Sequence, residues 1–204
     1  MEYQGTPYKD SVVPGGPQVI PGRVLCAYYD LGGEGIAYHD ADPVNHGSGQ
    51  LNPLNGGYLH QFRAEEGVDT SYVKGDGYDD HPYNFVEPEL GQLYVGWTEP
   101  GEWLKYTVEV KQSGLYAVSL LFTSNRGGEI ALSVNDHLVT PPIQVPSTYC
   151  ADDPFEWRQW HHWDRLEGFA LLKLAQGIQV LTLHTLSQGQ MNYASLDFEL
   201  TGAG

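Results

Sequence analysis

Residues 94–110 read YVGWTEPGEWLKYTVEV, and two kinds of pattern meet in them. From Trp103 onward polarity alternates. Leu104, Tyr106, Val108 and Val110 fall on one side, and Trp103, Lys105, Thr107 and Glu109 on the other. A period of two is the signature of a half-buried strand. Ahead of it, Trp97, two carboxylates (Glu99 and Glu102) and a Pro100-Gly101 turn crowd into a corner between strands. The strand is expected to anchor the fold and the corner to support a binding site.

Working outward, the same alternation recurs. Strands are predicted over 102–110, 115–124 and 130–134, joined by turns at 111–114 and 125–128, which together read as a β-meander. Further strands are predicted over 169–174, 178–185 and 192–200. In the last, Ala194, Leu196, Phe198 and Leu200 alternate with Ser195, Asp197 and Glu199. Upstream, 24–29 and 58–63 read as short strands. Long polar loops cover 32–57, 67–91 and 140–163, and loops of that length are usually functional or folded on themselves. Residues 1–22 (with VVPGGPQVIPG) read as a lead-in segment or linker, and 23–204 as the folded module. No stretch holds a helical period. Many short strands with long decorated loops predict an all-β fold, a β-sandwich of the jelly-roll kind.

Composition narrows the partners. Ten Lys and Arg stand against 26 Asp and Glu, a net charge of −16, which opposes binding to nucleic acid or anionic membranes. Neutral or cationic ligands fit; an acidic polysaccharide would need a local basic exception. No run approaches the ~20 apolar residues of a membrane span, and the first residues lack the apolar core of a signal peptide. Cys26 and Cys150 permit at most one internal disulfide and make neither a disulfide scaffold nor a zinc site.

Catalytic motifs are missing: there is no Gly-x-Ser-x-Gly and no phosphate-cradling Gly-rich loop. His161 and His162 are adjacent, and adjacent strand residues point to opposite faces, so they do not read as a metal pair. Glu99 and Glu102 flank a turn. They meet the carboxylate requirement of a glycosidase, but a turn whose acids accept backbone N–H groups explains them as well. Asp40 and Asp42 are open to an Asx-turn role. The acidic run Asp76, Asp79, Asp80 reads as a solvated charge cluster before a cation site. The tryptophans are more informative. Trp103 fits the core. Trp157, Trp160 and Trp163 share the loop EWRQWHHW, which is too polar to bury all three. Aromatic faces exposed in loops suit ligands with C–H-rich faces, sugars above all, while Asn, Asp and Glu bind their hydroxyls.

The segments GGEGIAYHD, FRAEEGVD, YVGWTEPGEWLKYTVEV, SGLYAV, GGEIALSVND, WRQW and NYASLDFEL, spread over about residues 21–200, resemble the family 6 carbohydrate-binding modules. The resemblance implies a jelly-roll β-sandwich, non-catalytic and appended to a secreted bacterial glycoside hydrolase. Its ligand would be a polysaccharide or oligosaccharide. It implies a site at one end of the sandwich, where Trp97 and Trp157 enclose a sugar ring and Asn192 bonds its hydroxyls. Glu34, Tyr38 and Asp40 are candidates to complete the site. The family's first strand carries a Glu-Ala-Glu that binds structural calcium. Here the segment is Cys26-Ala27-Tyr28, with only Glu199 kept at the C-terminal ligand position, so that calcium is not favoured and no other cofactor is expected. Insertions at 41–60 and 70–92 are long for the family and would deepen, extend or block the site. Two other functions stay open: a hydrolase using Glu99 and Glu102, and a protein-interaction module docking through EWRQWHHW.

Overall fold

Leu104, Tyr106, Val108 and Val110 all point into one core, as their period-two spacing requires. The computed structural model describes residues 3–203. Its strands, in chain order, are β1 (Gln18–Ile20), β2 (Gly22–Leu25), β3 (Tyr38–His39), β4 (Ser48–Gly49), β5 (Asn52–Pro53), β6 (Thr70–Tyr72), β7 (Leu93–Val95), β8 (Trp103–Val110), β9 (Gly114–Ser124), β10 (Gly128–Val134), β11 (His137–Leu138), β12 (Ile143–Val145), β13 (Asp164–Leu174), β14 (Gly177–Ser187) and β15 (Met191–Ala203).

One sheet runs β1-β8-β14-β10-β11, with β12 beside β10 and β3 beside β8; the other runs β13-β9-β15-β7-β6, with β2 beside β15. The core lies between them. Leu104, Tyr106, Leu181, Leu183 and Leu132 come from the first sheet, and Tyr116, Val118, Leu120, Leu196 and Phe198 from the second. This is the predicted β-sandwich, of jelly-roll type.

The meander is not formed. β8 pairs with β14, β9 with β13 and β15, and β10 with β14, so consecutive strands cross between the sheets. Alternation specifies that a segment is a strand and which face it buries, not which strand it joins. The second half of β9 is buried on both faces, since Leu120 and Phe122 enter the main core while Leu121 joins Val73, Tyr94, Trp163 and Ala194 in a smaller outer cluster. That outer cluster places the long loops over one face of the second sheet.

Other expectations are corrected. The strand over 24–29 ends at Leu25 and becomes a 3-10 turn, and 58–63 holds a 3-10 turn at Tyr58–His60, where only Phe62 is buried and no alternating face exists. The lead-in is part of the fold: β1 lies parallel to β8, Ile20 is buried in the core, and Tyr8 packs with Ala27, Phe62 and Leu93. In β15 a bulge between Tyr193 and Ser195 changes which residues face inward. Tyr193 enters the main core and Ala194 turns to the outer cluster, so Ala194 leaves the row that contains Leu196 and Phe198. Trp103 is only half-buried, beside His39 and Lys105 on the face of β8 opposite Leu104. Among the described residues no helix is long and apolar enough to cross a membrane.

Candidate functional site

The corner after β7 is held by its neighbours rather than by a helix or hairpin. The Thr98 N–H and hydroxyl both donate to the Met191 carbonyl (3.2 and 3.0 Å), and the Gly101 N–H donates to the Thr185 carbonyl (2.9 Å). Gly96 gives the close approach here: a Cβ would lie 3.1 Å from Asn192 Oδ1, a tight contact. Trp97 follows with φ of 47°, a left-handed conformation uncommon for a bulky residue. Its N–H donates to Asn192 Oδ1 at 2.9 Å.

Facing it is the loop that carries Trp157. A 3-10 turn, Glu156–Arg158, lifts Trp157 into solvent, where 57% of it is exposed. Beneath, Arg158 is buried and clamps Asp153 through two contacts, Nε to Oδ2 at 2.7 Å and Nη2 to Oδ1 at 2.9 Å. His162 Nδ1 donates to the Thr148 carbonyl (2.8 Å) and its Nε2 lies 3.0 Å from Asp153 Oδ2. Arg158 Nη1 also donates to the Gly77 carbonyl. The Phe85 and Val86 N–H groups donate to the Trp163 carbonyl at 2.9 and 3.0 Å, which ties residues 77–86 to the same loop. Burial opposes the charge of Asp153, yet the Arg158 guanidinium, the Phe155 N–H and His162 hold it well below the usual carboxylate range.

These loops enclose a cleft of about 520 Å³, lined by Trp97, Trp157, Trp160, Tyr78, Tyr94 and Leu51, with Lys74, Asp79 and His161 as its polar groups. Tyr78 and Trp157 stand with ring centroids 6.0 Å apart. Asp79 is buried: Oδ2 accepts the Lys74 N–H (2.6 Å) and Oδ1 lies 2.7 Å from His161 Nε2. Burial raises its pKa, but His161 and the Lys74 N–H outweigh that and hold it below the carboxylate norm. The cleft is apolar on its walls and polar at a few fixed points, the composition of a small-ligand site.

Trp97 and Trp157, 60 positions apart in the chain, therefore line one cleft. Asn192 does not face it. It is fully buried, with Oδ1 on the Trp97 N–H and Nδ2 donating to Thr123 Oγ1 (2.8 Å) and His161 Nδ1 (2.9 Å). Its amide braces the two walls and is not available to a sugar hydroxyl. Glu34, Tyr38 and Asp40 lie elsewhere. Tyr38 is buried edge-on to Tyr29, Glu34 holds His39 (2.6 Å) and the Asp40 N–H (3.1 Å), and Asp40 faces Glu102 across a void of about 10 Å³. These three sit on the side of the corner away from the cleft because β3 pairs with β8.

Glu102 is committed to structure: Oε2 accepts the Glu99 N–H (2.8 Å) and Oε1 the Ala41 N–H (3.2 Å). Burial, with Asp40 and Glu99 nearby, pushes Glu102 up to about 8, and burial pushes Asp40 up to about 6. Glu99 is exposed.

The cleft residues that the sequence does not assign to a sugar site are Leu51, Lys74, Tyr78, Asp79, Tyr94 and His161. Leu51 comes from the 41–60 insertion, and Lys74, Tyr78 and Asp79 from the 70–92 insertion, so these insertions build a wall of the cleft. Asp79 was expected in water and is buried; the exposed Asp76 and Asp80 flanking it fit that expectation.

As for metals, His81, Asp153 and His162 bring ligand atoms within 4.8 Å of one another. Both Asp153 oxygens are already held by Arg158, whose positive charge would stand beside any ion, so the cluster is a latch between loops. The calcium of the resemblance does not fit either. Cys26 is a buried thiol pushed up to about 12 by desolvation, Tyr28 is neutral, and Glu199 is exposed on β15. Both cysteines are free.

No protein-family model matches the chain, and no curated protein matches it. Solved structures share its fold. It is similar to CsCBM6-3 from Clostridium stercorarium in complex with cellobiose, with a TM-score of 0.56 at 12% identity over 91% of this chain and 98% of that one. A β-1,3-glucan binding CBM6 from Bacillus halodurans superposes with a TM-score of 0.51 at 17% identity, over 90% and 99%. A glycoside hydrolase family 43 arabinoxylan arabinofuranohydrolase from Bacillus subtilis, in complex with cellotetraose, matches with a TM-score of 0.52 at 12% identity, over 95% of this chain and 33% of that one. At these identities the likeness is one of fold: the chain is a β-sandwich of the kind found in family 6 carbohydrate-binding modules.

Proposed function

We propose that this domain is a non-catalytic carbohydrate-binding module whose ligand stacks between Trp97 and Trp157. The observation that carries it is the convergence of these two aromatics on one cleft large enough for a sugar ring, with further aromatic wall at Tyr78 and Trp160. A pyranose presents C–H groups to an aromatic face and hydroxyls around its rim. The walls match the first, and the Lys74 ammonium and the remaining acceptor positions of Asp79 match the second. The site is built before the ligand arrives, since Asn192 and the Asp153–Arg158 pair fix both walls. Affinity in such small sites falls at about micromolar to millimolar, roughly −8 to −4 kcal/mol.

The Bacillus subtilis hydrolase matches this chain over a third of its own length. We read the present domain in the same way, as an appendage of a secreted bacterial glycoside hydrolase that raises the enzyme's concentration on its polymer. Calorimetry against cello-, xylo- and β-1,3-gluco-oligosaccharides tests the site. Trp157→Ala is expected to weaken binding by roughly 30-fold or more, the loss of about 2 kcal/mol of aromatic contact, with an unchanged melting temperature. Equal affinity in the variant would refute the assignment. Displacement of a bound polymer by free oligosaccharide separates this function from docking of a protein on EWRQWHHW.

A further inference from the structure

In a chain with 26 acidic and 10 basic side chains, a cation is expected to sit against a carboxylate or in water. Arg23, Arg63, Lys105, Lys111, Arg158 and Arg165 each have a carboxylate within 4.0 Å. Lys9, Arg126 and Lys173 are exposed. Lys74 is neither. It is half-buried, it lines the aromatic cleft, and among the described residues no carboxylate lies within ion-pair distance of its ammonium.

Its surroundings are specific. Nζ donates to Ser71 Oγ at 3.0 Å and lies 4.5 Å from the centre of the Tyr72 ring. Ser71 Oγ also accepts from Asn52 Nδ2 (3.1 Å), so this neutral oxygen is shared. An ammonium carries three N–H donors, and the others have no partner of opposite charge. Asp79, in the same cleft, does not supply one. Its Oδ2 is taken by the Lys74 backbone N–H and its Oδ1 by His161. Burial pulls the Lys74 ammonium below the usual lysine range, with the Asp79 charge only partly opposing.

We propose that Lys74 is a specificity-determining residue that receives a carboxylate of the ligand, so that the preferred glycan carries a uronic acid on an otherwise neutral backbone. This rests on the cleft being a sugar site and names its substrate class. A carboxylate on a half-buried ammonium makes a charge-assisted hydrogen bond, about twice as strong as one from a neutral hydroxyl, and relieves the lost hydration of the cation. The rest of the molecule sets the limit. A net charge of −16 repels a run of acids, and the cleft holds one unpaired cation, so the match is to isolated acids rather than to a polyuronate. The basic exception that an acidic polysaccharide would need is this one residue.

Calorimetry with three probes tests it: neutral xylotetraose, a xylo-oligosaccharide of the same length bearing one glucuronic acid, and trigalacturonate. The singly acidic probe is expected to bind roughly tenfold tighter than the neutral one, and trigalacturonate more weakly than the singly acidic probe. Lys74→Met brings the singly acidic probe down to the level of the neutral one, and Lys74→Arg restores part of the difference; circular dichroism confirms that both variants fold. Neutral xylotetraose binding as tightly as its acidic counterpart, or a preference that survives Lys74→Met, overturns the role of Lys74 and leaves the sugar site standing. No binding of any glycan, with Trp157→Ala equally inert, overturns the site itself.

Discussion

The corner at residues 96–102 has two sides with different surroundings. On one, Trp97 opens into a cleft of about 520 Å³ walled by other aromatics. On the other, Glu102 and Asp40 close on a void of about 10 Å³. The carboxylates are where backbone N–H groups need acceptors, and the indole is where a ring has room to enter. A pair of acids beside a turn is evidence for acid–base chemistry only if their oxygens are free, and those of Glu102 are not.

The comparison can be broken hardest from beneath the cleft. Arg158→Met leaves Asp153 buried without its cation, a change that costs about 3 kcal/mol or more. A fall of roughly 6–12 °C in melting temperature is expected, with weaker oligosaccharide binding because the Trp157 loop loses its clamp. Calorimetric unfolding measures the first and titration the second; an unchanged melting temperature would remove the latch from the account.

A smaller effect comes from Asn192. Asn192→Asp keeps the acceptor for the Trp97 N–H and removes the donor to His161, whereas Asn192→Ala removes both. The alanine variant should lose about 1–3 kcal/mol of stability, the cost of leaving buried partners unmade. The aspartate variant should lose at least as much at neutral pH, because it leaves a carboxylate at a fully buried position, and both should bind more weakly. An alanine variant as stable as the wild type would show that the brace to Trp97 carries nothing.

The least effect on binding belongs to the other side of the corner. Glu102→Gln should leave sugar affinity unchanged, and its effect on stability should depend on pH. Burial raises the folded pKa of Glu102 from 4.5 to about 8, so the native state binds the proton more tightly than the unfolded chain. That contribution is complete below pH 4.5 and is lost as pH rises through 8. The amide has no proton to lose. Whatever the substitution costs at pH 5, the gap between wild type and variant should narrow toward pH 9 in thermal melts, and a gap that widened would contradict the raised pKa.

How much of this was legible before the structure depends on the kind of pattern. The long strands were, because alternation over 104–110, 115–124 and 178–185 reports burial directly. Their pairing was not, because alternation carries no information about partners, and β8, β9 and β10 do not pair as a meander. Trp157 is legible as one of three tryptophans in a loop too polar to bury them all, and Trp97 only through the family resemblance. The resemblance places Asn192 against the sugar, and the bulge in β15 that turns it beneath the cleft leaves no trace in composition. Trp103 was misplaced in the core although its own alternation puts it opposite Leu104. Lys74 and Tyr78 carry no signal in the sequence, and Asp79 reads as solvated, because their loop closes by turns and side-chain hydrogen bonds, which have no period.

The central claim is that the ligand meets Trp97 and Trp157. The chain has five tryptophans, each with one indole N–H, so a two-dimensional 15N spectrum reports on all of them at once. On titration with the best-binding oligosaccharide, the Trp97 and Trp157 indole signals should shift together and saturate at one ligand per protein. The buried Trp163 and the outward Trp103 should hold still. Shifts confined to Trp103, with Trp97 and Trp157 unmoved, would place the ligand on the outer face of β8 and contradict the account.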